Sequence, residues 1–245
     1  MGPLKNQTNP HPVTTLSVFF PCYNEKESTR ALTEKTLSVV KEICSDFEII
    51  LVDDGSTDGT AELIDKLVGE YPNVRAVHHT QNQGYGAALA SGFRAATKDY
   101  VFYTDGDGQF NIAELPALTP LIAHCDIVSG YRINRQDGVI RKLNAFCWNR
   151  LVCFLFGLKL RDIDCAFKLY KRKIFDTIEM HSTGALIDTE ILARAVRKGY
   201  TITQIGVHHY PRTTGQQTGA NIKVILRAFR ELFKLRKNIL QKDSS

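Results

Sequence analysis

The sequence predicts an α/β fold in which a mainly parallel β-sheet carries helices on both faces. Two short apolar runs, residues 16–20 (LSVFF) and 47–52 (FEIILV), end at turn-forming or acidic residues and are typical of buried strands. The segment between them, residues 25–43, has apolar side chains at helical spacing among charged ones, as expected for a crossover helix. A strand, a helix and a second strand in this order favour a parallel pair.

The same alternation continues along the chain. We expect helices over residues 58–70, 84–97, 112–123 and 188–198, and strands over residues 74–78, 100–104, 126–130 and 201–206. Residues 131–175 differ, because basic and aromatic residues interleave there. In an open parallel sheet, ligands bind beyond the carboxyl ends of the strands. The polar segments 21–25, 53–58 and 105–109 each follow a predicted strand, so the sequence predicts that they converge on one crevice.

The 245 residues divide into three predicted parts. Residues 1–14 form a disordered lead-in, residues 15–220 form one domain, and residues 221–245 form a basic amphipathic helix. The apolar stripe predicted for this helix consists of Ile222, Ile225, Phe229, Leu232, Phe233 and Ile239. Its other side carries lysines and arginines against a single acid, Glu231.

Composition excludes several classes of protein. With 43% hydrophobic and 23% charged residues, the chain is an ordinary globular one and not a collagen, a disordered protein or a disulfide scaffold. Its six cysteines form no CxxC pair, which favours reduced thiols in a cytosolic protein. The longest apolar stretch, residues 151–160, is about half as long as a membrane-spanning helix.

The segment DGDGQ, residues 105–109, carries the clearest chemical signal. Asp105 and Asp107 follow the apolar strand YVFYT, where two carboxylates can share a hard divalent cation with phosphate oxygens. A calcium loop starting at Asp105 would need glycine and glutamate where the chain has Phe110 and Pro116, so that class of site is excluded. An ordinary polar turn stays open as an alternative at this point.

A second acidic segment, residues 53–60 (DDGSTDGT), also follows a strand and opens a helix. Helix capping explains Thr57 or Asp58, but it does not explain the adjacent Asp53 and Asp54. One of these two aspartates is well placed to accept a hydrogen bond from a nucleobase imide or a ribose hydroxyl. The chain has no GxxxxGK[ST] motif, and its GYG at residues 84–86 is only a fragment of GxGxxG, so the common phosphate-loop folds fit less well.

Four segments, SVFFPCYNE, VDDGSTDGT, NQGYGAAL and TDGDGQ, together resemble the inverting family 2 glycosyltransferases over about residues 16–215. This resemblance implies a nucleotide-sugar-binding fold of the GT-A type. The aspartate-x-aspartate-x-glutamine form and a late Arg-x-x-Gly are similar to the polyprenyl-phosphate (dolichyl-phosphate) mannosyl- and glucosyltransferases. The resemblance therefore implies transfer of a hexose, mannose or glucose, from a GDP- or UDP-sugar to polyprenyl phosphate.

The resemblance also implies roles for individual residues. The donor would be bound by Pro21, Tyr23, Glu25, Asp53, Asp54, Gly84 and Asp105. The ligands of Mg²⁺ or Mn²⁺ on the diphosphate would be Asp105, Asp107 and Gln109. Asp107 and Arg212 would act in catalysis by offsetting charge on the leaving group. Arg132 and Arg141 would bind the phosphate of the acceptor lipid, to which the planar guanidinium is suited.

The acceptor is less well defined by the sequence than the donor. The relatives commonly have Ser-Lys after the late glycine, whereas this chain reads GQQTG at residues 215–219. A saccharide or protein hydroxyl therefore stays open as an alternative acceptor. It would need a general base, for which Asp188 or Glu190 is the candidate, whereas a lipid phosphate is already ionised. The two intact acidic segments argue against a catalytically idle scaffold and against a nucleic-acid-binding protein.

We expect the chain to lie in the cytoplasm and to bind peripherally to the cytoplasmic face of a membrane, or to a membrane subunit. The basic helix 221–245 is one candidate contact, since each lysine or arginine near anionic lipid contributes about 1 kcal/mol. A second candidate is the aromatic and basic stretch around Phe146, Trp148, Phe154 and Phe156.

Overall fold

The computed structural model describes residues 12–134, 139–211 and 222–242. Its strands are β1 (Thr15–Cys22), β2 (Asp46–Asp53), β3 (Val74–His78), β4 (Tyr100–Thr104), β5 (Ile127–Ile133), β6 (Phe167–Lys171) and β7 (Ile202–His208). Its α-helices are α1 (Lys26–Ile43), α2 (Thr60–Glu70), α3 (Tyr85–Ala95), α4 (Val139–Phe156), α5 (Ile187–Arg197) and α6 (Ile222–Lys242). The strands form one seven-stranded sheet in the order β3-β2-β1-β4-β6-β5-β7.

The first half of the sheet confirms the predicted parallel arrangement. Strand β1 pairs in parallel with β2 and β4, and β2 pairs in parallel with β3. Both faces of the sheet are covered, since every residue of β2 from 47 to 53 is buried. The register pairs Cys22 with Asp53 and Phe19 with Tyr103. The chain segments that follow β1, β2 and β4 therefore lie side by side at one edge of the sheet, as the sequence predicts.

Strand β6 and helix α4 complete the second half of the fold, and the sequence predicted neither of them. Strand β6 runs antiparallel to β4 and to β5, whereas β5 and β7 are parallel. The sequence of β6, FKLYK, contains Lys168, which is nevertheless fully buried. A lysine in a short strand normally indicates solvent exposure, and α4 mixes apolar and basic residues without a clear stripe.

The helix predicted over residues 112–123 was wrong. Two short 3₁₀ turns, Ile112–Ala117 and Leu121–Ala123, take its place. Pro116 lies inside the first turn and Pro120 directly precedes the second. Proline lacks the backbone N–H and clashes with the preceding helical turn, so one continuous α-helix cannot form here.

Helix α6 is present as predicted, but only part of its predicted apolar stripe packs against the domain. Leu232, Leu235 and Ile239 are buried, whereas Phe229 and Phe233 remain 36% and 54% exposed. The helix contacts α4 and α5. The predicted apolar stripe is therefore split between a packed side and an exposed side.

Some predicted features can be compared with the structure only in part. Val13 is buried, so the packed part of the chain begins before residue 15. The features outside the described residues are positions 1–11, Arg212, segment 215–219, and the side chains of Arg141, Ile222 and Ile225.

All six cysteines are free thiols. Within the described residues, no helix is long and apolar enough to cross a membrane.

Candidate active site

A cavity of about 290 Å³ opens where β1, β2 and β4 end. The predicted site residues that line it are Pro21, Tyr23, Glu25, Asp54, Gly84, Asp105 and Asp107. Tyr85 and Asn82 also line this cavity, although the sequence did not predict a role for them. The three polar segments thus converge as expected.

Asp105 and Asp107 line the cavity from the turn that follows β4. The backbone N–H of Gln109 donates to Asp107 Oδ1 at 3.0 Å, and the hydroxyl of Tyr85 donates to Asp105 Oδ1 at 2.9 Å. Burial, together with the negative charge of Asp107, raises the pKa of Asp105 to about 7. A divalent cation relieves such repulsion, so this pair fits Mg²⁺ or Mn²⁺.

The two aspartates do not form a complete metal site by themselves. Among the residues that the structure describes, no group of three or more His, Cys, Asp and Glu side chains is arranged to hold a metal ion. A cation at Asp105 and Asp107 would therefore take its remaining ligands from substrate oxygens or water, which is common for Mg²⁺ in sites that bind phosphates.

Gln109, the third predicted metal ligand, does not line the cavity. Its side-chain nitrogen donates to the carbonyl of Tyr210 at 2.9 Å, and the N–H of Tyr210 donates back to the carbonyl of Gln109 at 2.8 Å. These bonds connect the acidic turn to the segment after β7. A cation would have to use the amide oxygen, because the nitrogen is already a donor here.

The acidic pair after β2 mainly supports the loop around it. Asp54 Oδ1 accepts from the N–H of Gln83 at 2.9 Å and lies 2.6 Å from His79 Nδ1, while its Oδ2 accepts from the N–H of Gly84 at 2.9 Å. Asp53 is buried and does not line the cavity. A donor contact by Asp53 stays a prediction, and the Asp54 carboxylate is already hydrogen-bonded within the protein.

The segment after β1 is held by the segment after β2. The N–H of Thr57 donates to Asn24 Oδ1 at 2.8 Å, and the N–H of Glu25 donates to Thr60 Oγ1 at 3.0 Å. Asn24 has a φ of 56°, a left-handed conformation that asparagine tolerates better than most residues. Tyr23, next to it, is 47% exposed and lines the cavity.

The GYG segment is a packing feature and not a dinucleotide-binding loop. The N–H of Gly86 donates to the carbonyl of Thr183 at 2.8 Å. A Cβ atom at Gly86 would lie only 2.4 Å from the carbonyl oxygen of Ser182, so no larger residue fits without movement. Gly84 has a φ of +99°, which also favours glycine. Helix α3 therefore begins in direct contact with the segment before α5.

Glu190, a predicted candidate base, instead holds this contact in place. It has no solvent exposure. Its Oε2 accepts from the N–H groups of His181 at 3.0 Å and Ser182 at 2.7 Å, and its Oε1 accepts from Arg194 at 3.0 Å. A general base must reach the acceptor hydroxyl. Glu190 thereby fixes the segment that packs against Gly86, and its role as a general base stays a prediction.

Asp188, the other candidate base, belongs to a buried ion pair. Its Oδ1 lies 2.6 Å from Lys168 Nζ and also accepts from the hydroxyl of Tyr103. Lys168 donates further to the Tyr103 hydroxyl at 3.1 Å and to the carbonyl of Cys165 at 2.6 Å. The three ammonium protons are thus matched by three acceptors. Asp188 does not line the cavity, and its role as a catalytic base stays a prediction.

A second cavity, of about 280 Å³, lies beside α4 and the end of β5. Arg132 lines it, with its Nε 2.7 Å from Asp162 Oδ2 and its Nη2 2.8 Å from Asp162 Oδ1. Lys142 and Arg161 line the same cavity, and Arg161 lies over the ring of Tyr131 at 4.8 Å. The cavity suits an anionic ligand, because its three cationic side chains outnumber the carboxylate of Asp162. Of the three cationic residues, the sequence predicted only Arg132.

Helices α4 and α6 expose large apolar side chains. We define the apolar surface as Leu143, Phe146, Phe154, Phe229, Phe233 and Leu240, all of which are exposed. The two helices are in contact, since the rings of Trp148 and Phe229 lie 5.5 Å apart and Arg236 donates to the carbonyl of Leu155 at 3.1 Å. Phe146 belongs both to the apolar surface and to the wall of the second cavity.

An α/β sheet whose strand ends bear acidic segments around a cavity is typical of enzymes that bind nucleotides or phosphates. The chain belongs to glycosyltransferase family 2, because the sequence model described as Glycosyl transferase family 2 matches residues 17–179. The resemblance found in the sequence is thereby confirmed.

Two relatives with described activities match most of this chain. The chain is 34% identical, over 88% of its length, to an undecaprenyl-phosphate 4-deoxy-4-formamido-L-arabinose transferase of Pseudomonas fluorescens, of which it covers 63%. It is 33% identical to the transferase of the same description from Pectobacterium carotovorum, over 87% of this chain and 65% of the relative. The chain thus spans less than two thirds of the length of these relatives.

Solved structures confirm the GT-A type fold. Glucosyl-3-phosphoglycerate synthase from Mycobacterium tuberculosis, in complex with Mn²⁺, UDP and phosphoglyceric acid, superposes with a TM-score of 0.70 at 18% identity, over 92% of this chain and 78% of the synthase. Its complex with phosphoglyceric acid alone gives a TM-score of 0.69, over 92% of this chain and 80% of the synthase.

The buried ion pair should be important for stability. Replacing Lys168 by methionine should lower the free energy of unfolding by about 3–5 kcal/mol, because Asp188 would then be a buried charge without a counter-ion. The double variant Lys168→Met/Asp188→Asn should recover most of this loss, since neither charge remains. Urea unfolding at neutral pH measures both free energies.

Lys171→Met provides the matched control on the same strand. The ammonium of Lys171 is partly exposed and pairs with Asp126 at 3.2 Å, so its removal should cost less than about 1 kcal/mol. Equal losses for the two lysine variants would contradict the importance of the buried pair.

Proposed function

We propose that this chain transfers a sugar from a nucleoside-diphosphate sugar to a polyprenyl phosphate with inversion at the anomeric carbon. The observation that carries this proposal is a pair of cavities, one lined by Asp105 and Asp107 and the other by Arg132, Lys142 and Arg161. The first suits a cation with a diphosphate, and the second suits a phosphate monoester. The description of the relatives as undecaprenyl-phosphate transferases supports the same acceptor.

The donor side is proposed from the first cavity. Pro21 and Tyr23 line it at the end of β1, where an exposed aromatic ring suits a nucleobase. Asp105 and Asp107 would hold Mg²⁺ or Mn²⁺ together with the diphosphate. The cation, when bound, supplies positive charge against the charge that develops on the leaving nucleoside diphosphate. The presence of UDP and Mn²⁺ in a structural relative supports this part of the proposal.

The acceptor side favours a phosphate over a hydroxyl. An oxygen of the lipid phosphate attacks the anomeric carbon, the bond from that carbon to the diphosphate breaks, and the nucleoside diphosphate leaves. A phosphate is already ionised and needs no base, whereas a hydroxyl would need one. Both sequence candidates for this base, Asp188 and Glu190, are buried and hydrogen-bonded within the protein. Roles for Arg141 and Arg212 at the acceptor phosphate and the leaving group remain part of the proposal.

Transfer of label into lipid tests the proposed reaction directly. The chain, Mn²⁺ and a short polyprenyl phosphate should move radiolabel into the organic phase from one of GDP-mannose, UDP-glucose and UDP-4-deoxy-4-formamido-L-arabinose. The hexoses follow from the sequence resemblance, and the third sugar follows from the relatives. Asp107→Asn should lower this transfer by about a hundredfold or more, because a charge that stabilises the reaction is lost.

The lipid acceptor would be refuted if the label stayed in the aqueous phase with every donor although the chain bound a nucleoside diphosphate and Mn²⁺. Full transfer by Asp107→Asn, or by the native chain in a metal-chelating buffer, would refute the metal-binding role of the acidic turn.

Arg161 allows a test of the second cavity that leaves the donor site intact. Arg161→Gln should raise the KM for polyprenyl phosphate about tenfold, because one charged hydrogen bond to phosphate is lost, while the KM for the donor stays unchanged. Steady-state kinetics with each substrate varied in turn measures both constants. Arg172→Gln is the control, since Arg172 pairs only with Asp176 one turn away among the described ion pairs. Equal KM values for Arg161→Gln and Arg172→Gln would show that the second cavity is not the acceptor site.

We further propose that the apolar surface rests on a lipid bilayer. An acceptor with a polyprenyl tail is confined to a membrane, so its phosphate must enter the protein from that side. Phe146 joins the apolar surface to the second cavity. The flanking side chains of α6 include Arg230, Lys234 and Lys237, which suit anionic headgroups. A membrane subunit as the partner remains the alternative.

Removing two exposed rings should weaken vesicle binding. The double variant Phe154→Ser/Phe233→Ser should bind anionic phospholipid vesicles at least about tenfold more weakly, because each buried ring contributes about 1.5–3 kcal/mol. Sedimentation with vesicles measures the bound fraction, and thermal unfolding checks that both proteins are folded. Val68→Ser is the control, because Val68 is an exposed apolar residue on α2. If the double variant bound vesicles as strongly as the native chain, this result would contradict the membrane contact.

A further inference from the structure

We propose that Tyr85 is a positioning residue that holds the Asp105 carboxylate in the orientation in which it serves the cation and the diphosphate of the donor. This inference rests on the proposed function and adds a residue to its donor site. The sequence indicated only the glycines on either side of Tyr85. The role of the tyrosine hydroxyl can be recognised only in the fold, which brings α3 next to the acidic turn.

The contact itself is direct. The hydroxyl of Tyr85 donates to Asp105 Oδ1 at 2.9 Å, and both side chains line the 290 Å³ cavity. Asp105 Oδ1 is thereby fixed, so rotation of the carboxylate is restricted. Carboxylates that coordinate a cation are commonly oriented by such a hydrogen bond from a neighbouring group.

The backbone on each side of Tyr85 is fixed by a different part of the chain. On one side, the N–H of Gly84 donates to Asp54 Oδ2 at 2.9 Å. On the other side, the N–H of Gly86 donates to the carbonyl of Thr183 at 2.8 Å. Tyr85 is therefore held at a set distance from the acidic turn before any ligand binds.

The segment that contacts Gly86 is itself supported by Glu190. The carboxylate of Glu190 accepts from the N–H groups of His181 and Ser182, directly before Thr183. Buried Glu190 is thus connected to the carboxylate of Asp105 by hydrogen bonds and by the short backbone segments 182–183 and 85–86 between them.

The experiment compares Tyr85→Phe with Tyr170→Phe. Tyr170 is a suitable control because its hydroxyl is buried and has no hydrogen-bond partner within the described part of the chain. Mn²⁺ binding is followed by the electron paramagnetic resonance of free Mn²⁺, in the presence of saturating UDP or GDP. Binding of each nucleotide without metal is measured by calorimetry.

Tyr85→Phe should weaken Mn²⁺ binding about tenfold, as expected for the loss of one hydrogen bond to a charged group. Nucleotide binding without metal should change by less than about twofold, because Tyr85 acts through Asp105. Excess Mn²⁺ should restore the turnover of Tyr85→Phe, which it would not do for a variant that is only unfolded. Tyr170→Phe should match the native chain in each measurement.

Three results would overturn the inference, and they are distinguishable. Native affinity for Mn²⁺ in Tyr85→Phe would remove the positioning role and leave the donor site as proposed. A native chain that binds Mn²⁺ with neither UDP nor GDP would refute the proposed donor site, and the inference with it. An equal loss of Mn²⁺ affinity in Tyr170→Phe would mean that the effect comes from the protein interior and not from Asp105.

Discussion

Burial of carboxylates beside a cavity is the constraint on which the rest of this structure depends. An ionised carboxylate without partners is costly away from water, yet Asp54, Asp188 and Glu190 are all buried close to the strand ends. The chain solves this problem in two ways. Asp54 and Glu190 accept backbone N–H groups, which ties loops to the sheet, whereas Asp188 pairs with the buried ammonium of Lys168. The acids thus determine where the loops around the cavity lie.

This arrangement separates the acids that build the site from those that face the cavity. Asp105 and Asp107 lie on the cavity wall, and burial, together with repulsion by Asp107, raises the pKa of Asp105. The repulsion would destabilise the turn on its own, and Tyr85 relieves only part of it by one hydrogen bond. A cation at this point would therefore stabilise the turn and would also offset the charge of a diphosphate.

The sequence predicted the features that depend on local pattern. Strands β1 to β4 follow from apolar runs, and their parallel order places the acidic turns together. The sequence did not predict the features that depend on contacts between residues far apart in the chain. Lys168 is buried because Asp188, twenty residues later, neutralises it, and no local pattern reveals this pairing. Likewise, Arg161 can be recognised as part of a cationic cavity only in the folded chain. There, α4 and the end of β5 bring Lys142 and Arg132 beside it. The proline-broken segment 112–123 was the exception, since Pro116 and Pro120 were visible in the sequence.

The positions of the two cavities give a physical reason for a lipid acceptor. The first cavity lies at the end of the parallel strands, where the proposed cation and soluble nucleotide would bind, and it is lined by few large apolar residues. The cationic cavity lies beside α4 and shares Phe146 with the apolar surface. A ligand with a charged head and an apolar tail matches that second arrangement, because its phosphate can meet Arg132 and Arg161 while its tail stays against exposed rings. A hydroxyl acceptor in water would require neither the arginines nor the rings.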